Sequence, residues 1–339
     1  MNRQHFLAAA SAAATAGLGS LRPTTASAAT AEPRFEFHSA FLVNLHHTLY
    51  YQASVLQALY TTGLDMLGEL PTRVYREMIT HIPSAEQGRW YRALRYYQNE
   101  YGWRSLIFDD EMYALENDVV AGTPPAPLKR VLDDVSPIYR ERLWPIHDAR
   151  NRTSIQEWQA ALSRYGPSLF PALAKLYQRP WLPIPYRVDV VAATDRLGAY
   201  NNPGEGNRYW HIVISTYDHQ NDDLNGFEIV THEASHSIVL PDEGPIGGTI
   251  ASACKTLDRP EPNNLWHATI MYIPGIVLQR LALAAGMRYQ LAFVANQVFT
   301  KAYPRYYAAF QRHLLPYVDE RATLAEALYA TVEQVVSVT

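Results

Sequence analysis

His232, Glu233 and His236 stand in the order His-Glu-Ala-Ser-His, a spacing with a mechanical meaning. On an α-helix, side chains four residues apart lie on one face, one turn apart. Two imidazoles so placed can converge on one cation. Glu233 then sits beside them, able to take a proton from water without becoming a ligand. The chemistry this pattern carries is metal-assisted hydrolysis, with zinc as the expected ion and Glu233 as the expected general base.

The surroundings agree with a buried helix over 226–239. Phe227, Ile229, Val230, Ile238 and Val239 are apolar, and polar side chains among them need partners. Asn225 followed three residues later by Glu228 reads as a capping arrangement at the helix start. Glu228 also lies one turn before His232, where it could instead orient that imidazole from behind.

With a strand, His211–Thr216, just upstream of this helix, residues 186–280 resemble the zincin superfamily of metallopeptidases. The resemblance implies an edge strand that holds extended substrate antiparallel to itself, a zinc ion on His232 and His236, and peptide hydrolysis. It also implies a third protein ligand downstream, with the fourth position left for water. Three residues compete for that place. Asp242, six residues after His236, has the metzincin spacing, but Val239 replaces the turn glycine of that group. Glu261, 25 residues after His236, has the gluzincin distance but lies between Pro260 and Pro262, where a loop is expected rather than a helix. His267, near the start of an apolar helix, is the strongest of the three and departs from the gluzincin glutamate, leaving a gluzincin-like site of three histidines.

A hydrolase of this kind also wants a donor for the oxyanion, and Tyr272, Tyr303, Tyr306, Tyr307 and His313 all lie downstream. With 23 tyrosines in the chain, ordinary packing is the default for each. Among Asn44, His46 and His47 in the first helix, the expectation is one core histidine and one solvated one. Cys254, the single cysteine, is read as a small buried hydrophobe and rules out an internal disulfide.

Elements that must position these residues follow from periodicity. Three- and four-residue apolar spacing predicts helices opening at 43–50 and then over 72–81, 85–100, 103–120, 128–143, 153–165 and 167–178. Alternation predicts strands over 186–191 and 209–216, with a turn-rich stretch at 201–207 between them. Helices are expected again over 226–239, 248–257, 265–285, 288–302, 305–313 and 323–335, with Pro274 bending the third. The fold class is therefore mainly α with a small sheet (α+β): a helical N-terminal part, 32–180, packed on a catalytic part, 181–339, which the resemblance makes zincin-like.

Residues 1–31 read as an export signal. Asn2-Arg3 and Phe6-Leu7 resemble a degenerate twin-arginine motif, and Ala26-Ser27-Ala28 and Ala29-Thr30-Ala31 are small-x-small sites. The Ala-rich stretch between is too weakly apolar for a membrane span, which takes about 20 apolar residues. A net charge of −4 with both signs mixed along the chain gives no basic stripe, so no nucleic-acid partner is expected. Taken together the residues predict an exported, periplasmic or secreted, zinc hydrolase acting on peptide or protein. The rivals are a zinc amidase or esterase on another substrate, and an exported binding protein with a structural or vestigial zinc site.

Overall fold

A computed structural model describes residues 32–62, 69–102, 106, 115, 126–194, 198–204 and 208–336. The leader-like residues and the helix expected over 103–120 fall outside these, apart from Leu106 and Leu115. The chain is mainly helical with one four-stranded sheet, and it divides into two compact units, each made of separate stretches. The first comprises 1–34, 158–186 and 224–339; the second comprises 35–157 and 187–223. No helix among the described residues is long and apolar enough to cross a membrane.

The second unit holds α1 (Phe41–Thr62), α2 (Glu69–Thr80), α3 (Ser84–Glu100) and α4 (Ala126–Arg142). Leu45 and Leu49 of α1, Leu94 and Tyr97 of α3 and Leu132 and Tyr139 of α4 belong to one buried apolar cluster, with Trp90 stacked on Tyr139. α5 (Trp144–Tyr177) supplies residues to both units. It is one helix where two were expected, passing through Pro167 and Pro171. A proline disfavours helical backbone at the residue before it. Before Pro167 that residue is Gly166, where a Cβ would come within 3.1 Å of Leu162 and 3.2 Å of Phe170, so its absence keeps the helix passable.

The sheet contains β1 (Arg34–His38), β2 (Pro185–Val191), β3 (Ala199–Pro203) and β4 (Trp210–Ser215) in the order β1-β2-β4-β3. β2 and β4 are the two expected strands. β3 lies partly in the stretch expected to be turns: it runs antiparallel to β4, from Ala199 opposite Ile214 to Pro203 opposite Trp210. Its Asn and Pro residues are tolerated because it is an edge, where a missing N–H costs no ladder bond. The strand likened to a substrate-holding edge, β4, is interior, flanked by β2 and β3. Both its sides are occupied by neighbouring strands, so an extended substrate cannot pair with it.

Arg187 and Asp189 are two apart on β2 and therefore share a face of the sheet. The guanidinium donates to both carboxylate oxygens of Asp189, at 2.6 and 3.1 Å, and His211 of β4 donates from Nε2 to the same carboxylate at 2.8 Å. All three are buried. Burial alone would raise the Asp189 carboxyl, but Arg187 and His211 outweigh it and hold the group well below the usual carboxylate range. Asp189→Asn removes the carboxylate charge that faces the buried Arg187 and His211. The expected loss is about 3–5 kcal/mol in urea unfolding, and a loss comparable with that of an exposed substitution would show that the pair is not needed.

Candidate metal centre

The histidines are carried by α6 (Asp223–Ser235) and α8 (Leu265–Ala284), with α7 (Gly244–Leu257) between them in sequence and the last part of α5 in the same unit. α6 is shorter than expected. It ends at Ser235, so His236 lies in the turn just past it, where Ser237, Ile238 and Val239 donate back to Ala234 and Ser235. That turn is held from α5. The Tyr177 hydroxyl donates to Ser235 Oγ at 3.0 Å, Ser235 donates to Thr231 O, and Arg179, just beyond α5, donates to Ile238 O. His236 therefore stays one turn from His232, with ring centroids 4.9 Å apart.

His267 is the third residue of α8, and it completes the set. One ligand nitrogen each from His232, His236 and His267 lies within 4.8 Å of the others. His232 Nε2 and His267 Nε2 are 3.1 Å apart. Two nitrogens at about 2.05 Å from one tetrahedral centre are about 3.3 Å apart, so this pair fits a shared zinc ion closely. Of the three candidates for the third ligand, the structure brings in His267; Asp242 and Glu261 are both exposed and outside the cluster.

The imidazoles are kept neutral, as ligands must be. Burial lowers His232 to about 4 and His267 to about 3, with His232 adding to the effect at His267, and burial together with His232 and His267 takes His236 well below the ordinary value. Glu233 is 8% exposed, and its Oε2 lies 4.0 Å from His236 Nε2. The Trp266 ring stands edge-on to His236, with centroids 5.4 Å apart at 85°, and limits how that ring can turn.

What fixes His232 is a carbonyl. Its Nδ1–H donates to Ile270 O at 3.1 Å. In an α-helix that oxygen would accept the N–H four residues on, but here that residue is Pro274, which has none. The proline thus leaves a helical carbonyl without its usual donor, and the imidazole takes it. This partner escaped sequence reading, although a proline seven residues past His267 in an apolar helix is a visible signal.

Glu228 does neither of the things expected of it. Asn225 is inside α6 rather than at its cap, and His232 already has its partner. The Glu228 carboxylate instead reaches the segment leading to α9 (Ala292–Ala295), accepting from the Tyr289 hydroxyl and, at 3.1 Å, from the Ala292 N–H. Its other oxygen lies against Gly275 of α8, where a Cβ would approach to 2.8 Å.

The oxyanion candidates have other employment. Tyr272 accepts from Gln311, Tyr306 donates to Asn263 O, His313 pairs with Gln334, and Tyr303 bonds to His267 Nδ1 at 2.6 Å. Tyr307 is 38% exposed and rests on Phe299. His46 and His47 are both fully buried in the second unit, correcting the expectation that one is solvated: His46 bonds to Tyr97, and His47 donates to Val43 O and accepts from Tyr200. Cys254 is buried, as expected of a small hydrophobe.

Comparison with protein-family models, with curated proteins and with solved structures returns no match.

Burial raises the Glu228 carboxyl to about 7, against which the Tyr289 and backbone hydrogen bonds work only in part. The folded state therefore holds this proton more tightly than the unfolded chain does. The stability it contributes is full below about 4.5 and is lost as pH rises to about 7, by about 3 kcal/mol in all. In Glu228→Gln that loss is absent. The difference in unfolding free energy between wild type and variant, measured from pH 4.5 to 8, checks this; a flat difference would refute it.

Proposed function

We propose that the protein is a zinc-dependent hydrolase, with His232, His236 and His267 holding the ion and Glu233 as general base. The observation that carries this reading is the convergence of three neutral imidazoles beside one carboxylate. Three side chains rather than four make up the cluster among the described residues, which is the donor number of a catalytic zinc site rather than a closed structural one. Zinc held there supplies Lewis acidity, lowering the pKa of water and polarising a carbonyl.

The protein's own part is positional. His232 is oriented by Ile270 O, His267 by its place at the head of α8, and Glu233 sits at the edge of the cluster to accept a proton from the attacking water and return it to the leaving group. Peptide or protein amide bonds are the proposed substrate, on the strength of the His-Glu-x-x-His pattern and not of strand pairing, which the interior position of β4 removes. The leader-like first residues support action outside the cytoplasm.

Elemental analysis of the purified protein is expected to give about one zinc per chain. His267→Ala loses it, while Asp242→Ala and Glu261→Ala keep it. Zinc unchanged in His267→Ala would sink the ligand assignment. Glu233→Gln is expected to keep its zinc and lose about 10²–10⁴-fold in the rate of cleavage of a peptide library followed by mass spectrometry; undiminished turnover would remove Glu233 from its role.

A further inference from the structure

Resting on the zinc reading above, we propose that Tyr303 is a positioning residue that sets the tautomer of His267. Its hydroxyl donates to Nδ1 when the histidine cluster holds no metal and accepts from Nδ1–H when His267 binds one.

The argument starts at His232. A carbonyl oxygen only accepts, so the bond to Ile270 O places a proton on His232 Nδ1. The ring is neutral, so its Nε2 carries a lone pair. His267 Nε2 faces that lone pair at 3.1 Å. Two lone pairs at this distance repel, so without a cation His267 must carry its proton on Nε2 and donate it to His232. His267 Nδ1 is then bare, and the Tyr303 hydroxyl donates to it across 2.6 Å.

A metal ion demands the opposite tautomer. His267 Nε2 must then offer a lone pair, its proton moves to Nδ1, and Nδ1–H needs an acceptor. A phenol hydroxyl can donate or accept, so the same partner serves both states by turning one O–H bond, with no heavy atom moved. The ring is held in place for this: Tyr303 is 4% exposed, stacks on Tyr306 with centroids 5.6 Å apart at 16°, and packs on Phe299. Phenylalanine fills the same space and can do neither. The role also explains why Tyr303, one of the candidate oxyanion donors, points at a histidine instead.

The test uses the purified full chain, with Tyr303→Phe, and with Tyr306→Phe as control because the Tyr306 hydroxyl bonds to Asn263 O and not to a histidine. Zinc affinity is measured by competition with a chromophoric chelator, and ¹⁵N NMR of histidine-labelled wild type reports the tautomers. Tyr303→Phe is expected to bind zinc about 10–100-fold more weakly, with Tyr306→Phe unchanged. The His267 proton is expected on Nε2 in the metal-free protein and on Nδ1 after zinc is added. Affinity in Tyr303→Phe equal to wild type, or a proton on Nδ1 in both states, overturns the proposal while leaving the zinc site standing. Wild type that takes up no zinc removes the site reading and this inference together. The NMR measurement on wild type decides the tautomer even if Tyr303→Phe fails to fold.

Discussion

The centre depends on a hydrogen bond exchanged between helices: the carbonyl of Ile270, deprived of its helical donor by Pro274, accepts from His232 instead. Proline inside a helix costs about 3 kcal/mol, partly because a carbonyl loses its partner. Buried and unsatisfied, such a group carries a penalty of about 1–3 kcal/mol. α8 is buried over most of its length, so water offers no easy remedy there. The imidazole N–H meets the need of the carbonyl, and the carbonyl fixes the tautomer of the imidazole. Each defect is tolerable because of the other.

Gly275 extends the same logic by one residue. Proline and glycine side by side are poor helix formers, yet each is matched to a side chain of α6: Pro274 to His232 through Ile270, and Gly275 to Glu228 through the space a Cβ would take. The two side chains are one turn apart on α6. This is a reason for placing both substitutions together in α8, since the register between the helices is set twice over. Glu228 then ties the pair to the Tyr289–Ala292 segment. The polar contacts of the site thus run from α5 through the turn after α6, into α8, and on to the segment before α9.

The approach of His236 to His232 was legible because it rests on helical spacing, which is local, and the place of His267 beside them followed from the search for a third ligand in an apolar helix. What was not legible depends on contacts distant in sequence. Asn201, Asn202 and Pro203 carry turn signals, and only pairing with β4 at the sheet edge makes them a strand. The interior place of β4 depends on the order in which four strands assemble, which alternation within one strand does not encode. Glu228 misled in a similar way: Asn225 and Glu228 have capping spacing, but α6 begins at Asp223, which takes a φ of 54°. The expected helix over 288–302 breaks into two single turns at Gln297, with φ 55°, where the local sequence holds neither glycine nor proline.

Burial divides the labour among the reactive groups. His232 is 2% exposed and anchored by a backbone oxygen, Glu233 beside it is 8% exposed, and His236 and His267 are each partly open to solvent. On the reading proposed above, the anchored end of the cluster is the end that fixes geometry, and water reaches it past His236 and His267, which are both partly open. The general base proposed here, Glu233, gains from standing beside that opening, because its proton would come from a solvent molecule and leave with a product. Desolvation acts on the histidines in the direction the proposed metal binding requires, since an environment that disfavours imidazolium preserves the lone pairs of His232 and His267. With β4 closed on both sides, main-chain pairing with that strand forms no part of the proposed reading.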